Sequence, residues 1–195
     1  MFSGSVSENT NEATVNFRSR LFLALPLALF AFVALAVGFA ASKTARQPYQ
    51  TAFLGLLFSD PLHMKVWLVT AALLLALGQL LTALRIHEVL NFPPEGRFYG
   101  LVHRWSGRAA VLLTLPVAYH CIFLLGFGTY NRRPYVHSLL GSILYGALLA
   151  KVLLVRANGF PDWALPIAGG LLFSILLGLW LTSGFWFLST FGAGL

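Results

Sequence analysis

Hydrophobic positions in this chain gather into five long blocks separated by short polar breaks. The blocks run from Leu21 to Ala41, Val66 to Ile86, Ala109 to Gly128, Leu139 to Val155 and Trp163 to Phe187. Each is close to the roughly 20 apolar residues an α-helix needs to cross bilayer hydrocarbon. In that solvent every backbone polar group must be satisfied within the segment, so helices are the expected spanning form. The pattern predicts an all-α integral membrane bundle, a single domain of five transmembrane helices over residues 21–195. Before it lies a polar stretch over residues 1–20. Met1 to Asn16 is rich in Ser, Asn, Glu and Thr, with too little apolar content to fold alone, and a disordered tail is the expectation.

The breaks carry their own signals. Pro26 falls inside the first block, a position membrane helices tolerate because neighbours satisfy the freed carbonyl. A cleaved signal peptide would have an apolar core of roughly 7–15 residues; this block is longer and reads as a span. The longest connection, Ser42 to Pro61, contains an amphipathic stretch, Tyr49 to Phe58, suited to the membrane interface. A rigid Pro93-Pro94-Glu95-Gly96 turn follows the second block. The third helix is expected to begin early, over Tyr99 to Arg108, and to bend at Pro116. Pro134 suits the start of the fourth helix, and Asn158 to Asp162 forms the last turn. The fifth block holds Gly169, Gly170, Gly178 and Gly184 and reads as a packing helix.

Composition agrees: 58% of the 195 residues are hydrophobic and 10% charged, with a mean hydropathy of +0.78, far from a soluble domain. The formal charge of +7 would point to nucleic acid in a soluble protein. Here the basic residues adjoin the spans and serve topology and lipid-headgroup contact, so nucleic acid is not an expected partner and the lipid bilayer is. Eight basic residues lie on the side of the N-terminus and five on the other. The positive-inside rule then puts the N-terminus in the cytoplasm and the C-terminus outside. Cys121 is the single cysteine. It offers neither a disulfide framework nor the Cys-x-x-Cys-His signature of covalent haem, and it reads as a packed thiol.

Candidate chemistry rests on histidine. His120 lies deep in the third block, while His63, His87, His103 and His137 sit at the ends of blocks. An ionisable ring in hydrocarbon is costly and normally faces a bundle interior, a partner or a cofactor, and imidazole is the commonest metal ligand. The pattern points to axial ligation of noncovalent, b-type haem, one or two per chain, against a plainer reading as interhelical hydrogen bonds. Antiparallel helices put His87 and His103 on one face, and His120, His137 and His63 toward the other. His103 and His120 are 17 residues apart, about 25 Å along a helix, too far to share an iron. His120 and His137 differ in expected depth by about 4–5 Å, which a helix tilt of about 20° absorbs. The expected pairs are therefore His120 with His137 and, for a second iron, His103 with His87.

Gly107 and Gly141 follow His103 and His137 by one helical turn. Each leaves room for a porphyrin edge, or simply lets two helices approach. Haem propionates need cationic or hydrogen-bonding partners. Arg104 and Arg108 flank His103, Arg132 and Arg133 precede His137, and Lys151 approaches the inner side. Each of these could instead snorkel toward headgroups.

The segments His103-Arg104-Trp105-Ser106-Gly107-Arg108, Tyr119-His120-Cys121 and Val136-His137-Ser138-Leu139-Leu140-Gly141 resemble those of a functionally uncharacterised family of bacterial multi-span membrane proteins. The similarity extends from Lys65-Val66-Trp67-Leu68 through Ile175-Leu176-Leu177. More remotely, the His-Arg-x-x-Gly and His-x-x-x-Gly elements resemble cytochrome b561 and ferric-reductase-type transmembrane haem proteins. The remote resemblance implies a helical bundle that holds b-type haem between His103, His120 and His137 and passes electrons across the bilayer. The fifth span lacks the histidine that di-haem members usually place there.

Together these readings make the chain an electron-transfer subunit of a membrane redox complex in the prokaryotic inner membrane, with quinone a further candidate partner. The rival expectation is a cofactor-free anchor or assembly subunit.

Overall fold

The computed structural model describes residues 4–44, 58, 60–90, 96, 98–157 and 159–192, with side chains from residue 23 onward. All regular structure among them is helical: α1 (Gly4–Lys43), α2 (Pro61–Ile86), α3 (Phe98–His120), α4 (Arg132–Arg156), α5 (Ala164–Trp180) and α6 (Trp186–Phe191). One π-helical turn, Cys121–Leu125, continues α3, and a second, Leu181–Phe185, joins α5 to α6. Five stretches are long and apolar enough to cross a membrane: Leu23–Lys43, Pro61–Ile86, Phe98–Leu125, Arg132–Arg156 and Ala164–Phe191.

Three boundaries differ from the hydrophobic blocks for local reasons. Helix α1 begins at Gly4, well before its apolar block. Once the apolar run from Leu21 is helical, extension adds one hydrogen bond per residue fixed without a second nucleation cost. Helix α2 begins at Pro61, five residues before its block, because Asp60 caps it. The Asp60 carboxylate accepts from the N–H of Leu62 at 2.7 Å and of His63 at 3.0 Å, and Pro61 occupies the position that has no donor to lose. Helix α4 begins at Arg132, which places His137 well inside the helix instead of near its first turn. The amphipathic stretch Tyr49 to Phe58, except Phe58, and Pro93 to Glu95 lie outside the described residues.

Partial burial pushes the Asp60 carboxyl up, but the N–H groups of His63 and Leu62 and the bonded His63 ring outweigh it and hold it below its ordinary value. Its stabilising effect is therefore present at neutral pH and fades as the pH falls through that lowered value. Replacing Asp60 with Ala should cost about 1 kcal/mol, measurable as a lower unfolding temperature in detergent at pH 7 that converges on wild type in strong acid.

Packing sets the order around the bundle. Helix α2 lies against α3 and α5, and α4 lies against α1 and α5. The helices thus follow one another as α3, α2, α5, α4, α1. At one end α1 meets the π turn that follows α3, where Gly126 adopts φ 69°. A Cβ there would lie 2.8 Å from the Thr44 carbonyl, so only glycine permits this closure. Gly146 does the same for α1 and α4, since its Cβ would stand 2.5 Å from the Phe30 carbonyl. The glycine-rich fifth span packs closely as expected, with Gly178 against Leu140. Large apolar side chains such as Phe32, Leu74, Leu112 and Ile167 remain exposed, the outward face a bilayer would cover.

Candidate functional site

Helix α3 ends at His120, which is 3% exposed. Its Nε2 is the one buried side-chain nitrogen or oxygen among the described residues without a hydrogen-bond partner. Buried polar groups are paired almost without exception, and an orphan costs about 1–3 kcal/mol. Directly after it the chain makes the Cys121–Leu125 π turn, a distortion that recurs at functional sites.

His137 on α4 is held differently. Its Nδ1 lies 3.0 Å from the Thr182 Oγ1. The Thr182 hydroxyl also lies 2.8 Å from the Gly178 carbonyl and 3.1 Å from the Leu179 carbonyl, and the His137 ring bonds the Leu179 carbonyl as well. With the hydroxyl proton on Gly178, the threonine oxygen accepts from the His137 Nδ1–H, the tautomer that leaves the Nε2 lone pair for a ligand. Metal-ligating histidines are oriented by this kind of second bond. Thr182 lies in the Leu181–Phe185 π turn. Its carbonyl accepts from the Arg133 Nη1 at 2.8 Å, and the Arg133 guanidinium stacks on the Trp186 ring at 3.6 Å.

Between these helices lies a cavity of about 280 Å³, bordered by Lys65, Val69, Cys121, His137, Gly141 and Tyr145 among others. This is near the lower end of the roughly 300–1,000 Å³ of small-molecule sites. Helices α3 and α4, consecutive in the chain, are bridged across it by Tyr145, whose hydroxyl lies 3.2 Å from the Thr114 carbonyl and 3.1 Å from its Oγ1. That bridge sets the register. Counting one helix up and the other back from it puts His120 level with position 139, about 3 Å in depth from His137. His137 borders the cavity and His120 does not, although Val117 and Cys121 of the same helix do. Lys65 reaches both rings electrostatically.

The opposite end repeats the threonine device. Thr82 Oγ1 donates to the carbonyls of Gly78 at 2.8 Å and Gln79 at 3.0 Å and lies 2.9 Å from the His103 Nδ1. The His103 ring also bonds the Gln79 backbone, so the same tautomer, with the proton on Nδ1, is the one that leaves its Nε2 for a ligand. The Gln79 amide donates to the His103 carbonyl and, at 3.0 Å, to the Ser106 Oγ. It also fills the space beside Gly107, whose Cβ would come within 3.0 Å of it. Gly107 therefore makes room for Gln79, while Gly141 faces open cavity, its nearest neighbour Leu179 at 3.9 Å.

His87 is exposed at the C-cap of α2 and, with Lys151, reaches His103 electrostatically. Arg104 and Arg108 are exposed and turn onto their own helix. Arg104 bonds the Gly100 carbonyl at 3.2 Å, and Arg108 covers the Trp105 ring at 5.0 Å. His63 bonds Asp60 and meets Phe187 edge-on at 5.2 Å.

Thr82, Thr182, Gln79, Tyr145 and the cavity-facing role of Lys65 escaped the reading of histidines and arginines. Their signal was present as hydroxyl and amide groups inside blocks otherwise rich in Leu, Ala and Val, and as an ammonium directly before the second block. Among the described residues, no three of His, Cys, Asp and Glu gather into a site for a bare metal ion.

No curated protein and no solved structure matches this sequence. A family model does, over residues 23–195, which include the five apolar helical stretches, both ends with their threonine-held histidines and the cavity. The chain belongs to the Family of unknown function (DUF6529).

Proposed function

We propose that this protein is a transmembrane b-type cytochrome that relays electrons through bis-histidine haem as a subunit of a membrane redox complex. The observation that carries the reading is the buried, partnerless Nε2 of His120, a ring nitrogen that no protein group satisfies in a region where such a vacancy is costly. His137 supports it, oriented by Thr182, at nearly the same depth and beside a cavity. The two rings would be the axial pair, with Gly141 clearing space one turn along. Bound haem would supply one-electron chemistry with both axial positions filled, which favours relay over oxygen activation. His103, oriented by Thr82, would serve a second iron with His87. Quinone, as donor or acceptor, and an outside C-terminus are parts of the same proposal.

Heterologous expression with added haem precursor, followed by a pyridine haemochrome assay and iron counted per chain, tests the reading. One haem per chain is expected from the outer pair alone, and two if His103 also ligates. A purified, folded protein with neither haem absorbance nor iron would defeat it.

A second reading, a cofactor-free anchor subunit, draws on the same threonine contacts. His103 to Thr82 and His137 to Thr182 each tie two helices together, which needs no cofactor. It gives no account of His120.

A further inference from the structure

From the cavity's charge we infer that Lys65 and Arg133 are the seat of the two haem carboxylates, an assignment that rests on the haem reading. Both residues border the cavity, and among the described residues no aspartate or glutamate does. Three carboxylates have described side chains. Asp60 is engaged by its own helix N-terminus and by His63. Glu88 and Asp162 follow α2 and precede α5, at the opposite end of the bundle. The Arg133 partners are a carbonyl and an aromatic ring, both neutral. The rest of the lining is apolar (Val66, Val69, Leu144, Leu176) or neutral and polar (Ser138, Tyr145), so among the described residues the two cations have no counter-charge, which is unfavourable unless a ligand brings one.

Position strengthens the case. Thr82 meets His103 between antiparallel helices. Seventeen residues along α3 from His103 stands His120, and seventeen back along α2 from Thr82 stands Lys65. Lys65 is thus level with the orphaned imidazole. Arg133 is tied through Thr182 to His137. Each cation accompanies one of the two proposed ligands. The ligand chemistry that fits is a flat apolar body with two carboxylates at one edge, Arg133 offering a planar fork and Lys65 a point charge. Of the arginines considered from sequence, Arg133 borders the cavity, while Arg104 and Arg108 are turned onto α3 itself.

The test compares ferric haem with its dimethyl ester, titrated into the purified, haem-free full chain in lipid nanodiscs and followed by Soret absorbance. Wild type should bind the free acid at least about tenfold more tightly than the ester, a ratio typical of one charge-assisted contact. Lys65→Met and Arg133→Gln should each shrink that preference, and the double variant should bind both forms alike. Lys65→Arg, which keeps the charge, should retain the preference and guards against a folding defect in Lys65→Met. Equal affinity of wild type for acid and ester, or an unchanged preference in both neutral variants, would overturn the assignment while leaving the haem reading standing. Binding of neither form by wild type would overturn both.

Discussion

His120→Leu is expected to remove the haem signal of the proposed His120–His137 site and to lower the unfolding temperature of protein purified with haem. Loss of an axial ligand should weaken binding by more than the roughly 10–100-fold that follows loss of a supporting contact at a metal site. A ligand held at 100 to 1,000 times its Kd stabilises by about 3–4 kcal/mol, and that contribution would vanish with it. The cofactor-free reading requires the opposite sign. There, Leu removes a buried nitrogen that has no partner, and the protein should gain up to about 1–3 kcal/mol. Thermal unfolding followed by circular dichroism, alongside the haem absorbance of the same samples, separates the two. A more stable variant with an unchanged spectrum would end the case for His120 as a ligand.

Thr182→Val should have the next largest effect. Valine keeps the shape but removes the hydroxyl beside the His137 Nδ1, loosening the ring's orientation and its choice of tautomer. We expect haem affinity at the proposed His120–His137 site to fall about 10–100-fold and the midpoint potential of any haem retained to move. Thr182→Ser, which can repeat both the back-bond to Gly178 and the acceptor role, should restore affinity to within a few-fold. A merely structural threonine would lower stability in the valine variant without changing the potential or the affinity of the folded fraction. Thr82→Val supplies the comparison at the other end. If His103 holds a second iron, its absorbance alone should change; if no second iron is present, the spectrum should stay as in wild type.

Much of the architecture was legible because a membrane helix is a local object. Length and apolarity within one segment decide whether it can span, so each of the five blocks falls on one of the five apolar helical stretches, with starts displaced by up to eleven residues. The short-range signals that moved the boundaries are also local: Asp60 with Pro61 before α2, and Gly126 where α3 closes. Depth along antiparallel helices follows from counting. The expectation that His120 and His137 share one end while His103 and His87 share the other therefore agrees with the geometry.

Lateral arrangement had no such local source. Apolar side chains are equally content against lipid or against another helix, so hydrophobic patterning does not say which neighbours pack. That α2 lies between α3 and α5, that α1 joins α4, and that a cavity opens between α3 and α4 emerge from long-range fit, including Gly146 against Phe30. Partners distant in sequence were equally hidden: His103 finds Thr82, His137 finds Thr182, and Tyr145 finds Thr114. The same holds for side-chain direction. Arg104 and Arg108 stand beside a histidine in sequence yet turn away, whereas Lys65 and Arg133 converge on the cavity from different helices. Chain order therefore dictated span and depth, because each depends on one helix alone, while the direction each polar group faces depended on how all five pack.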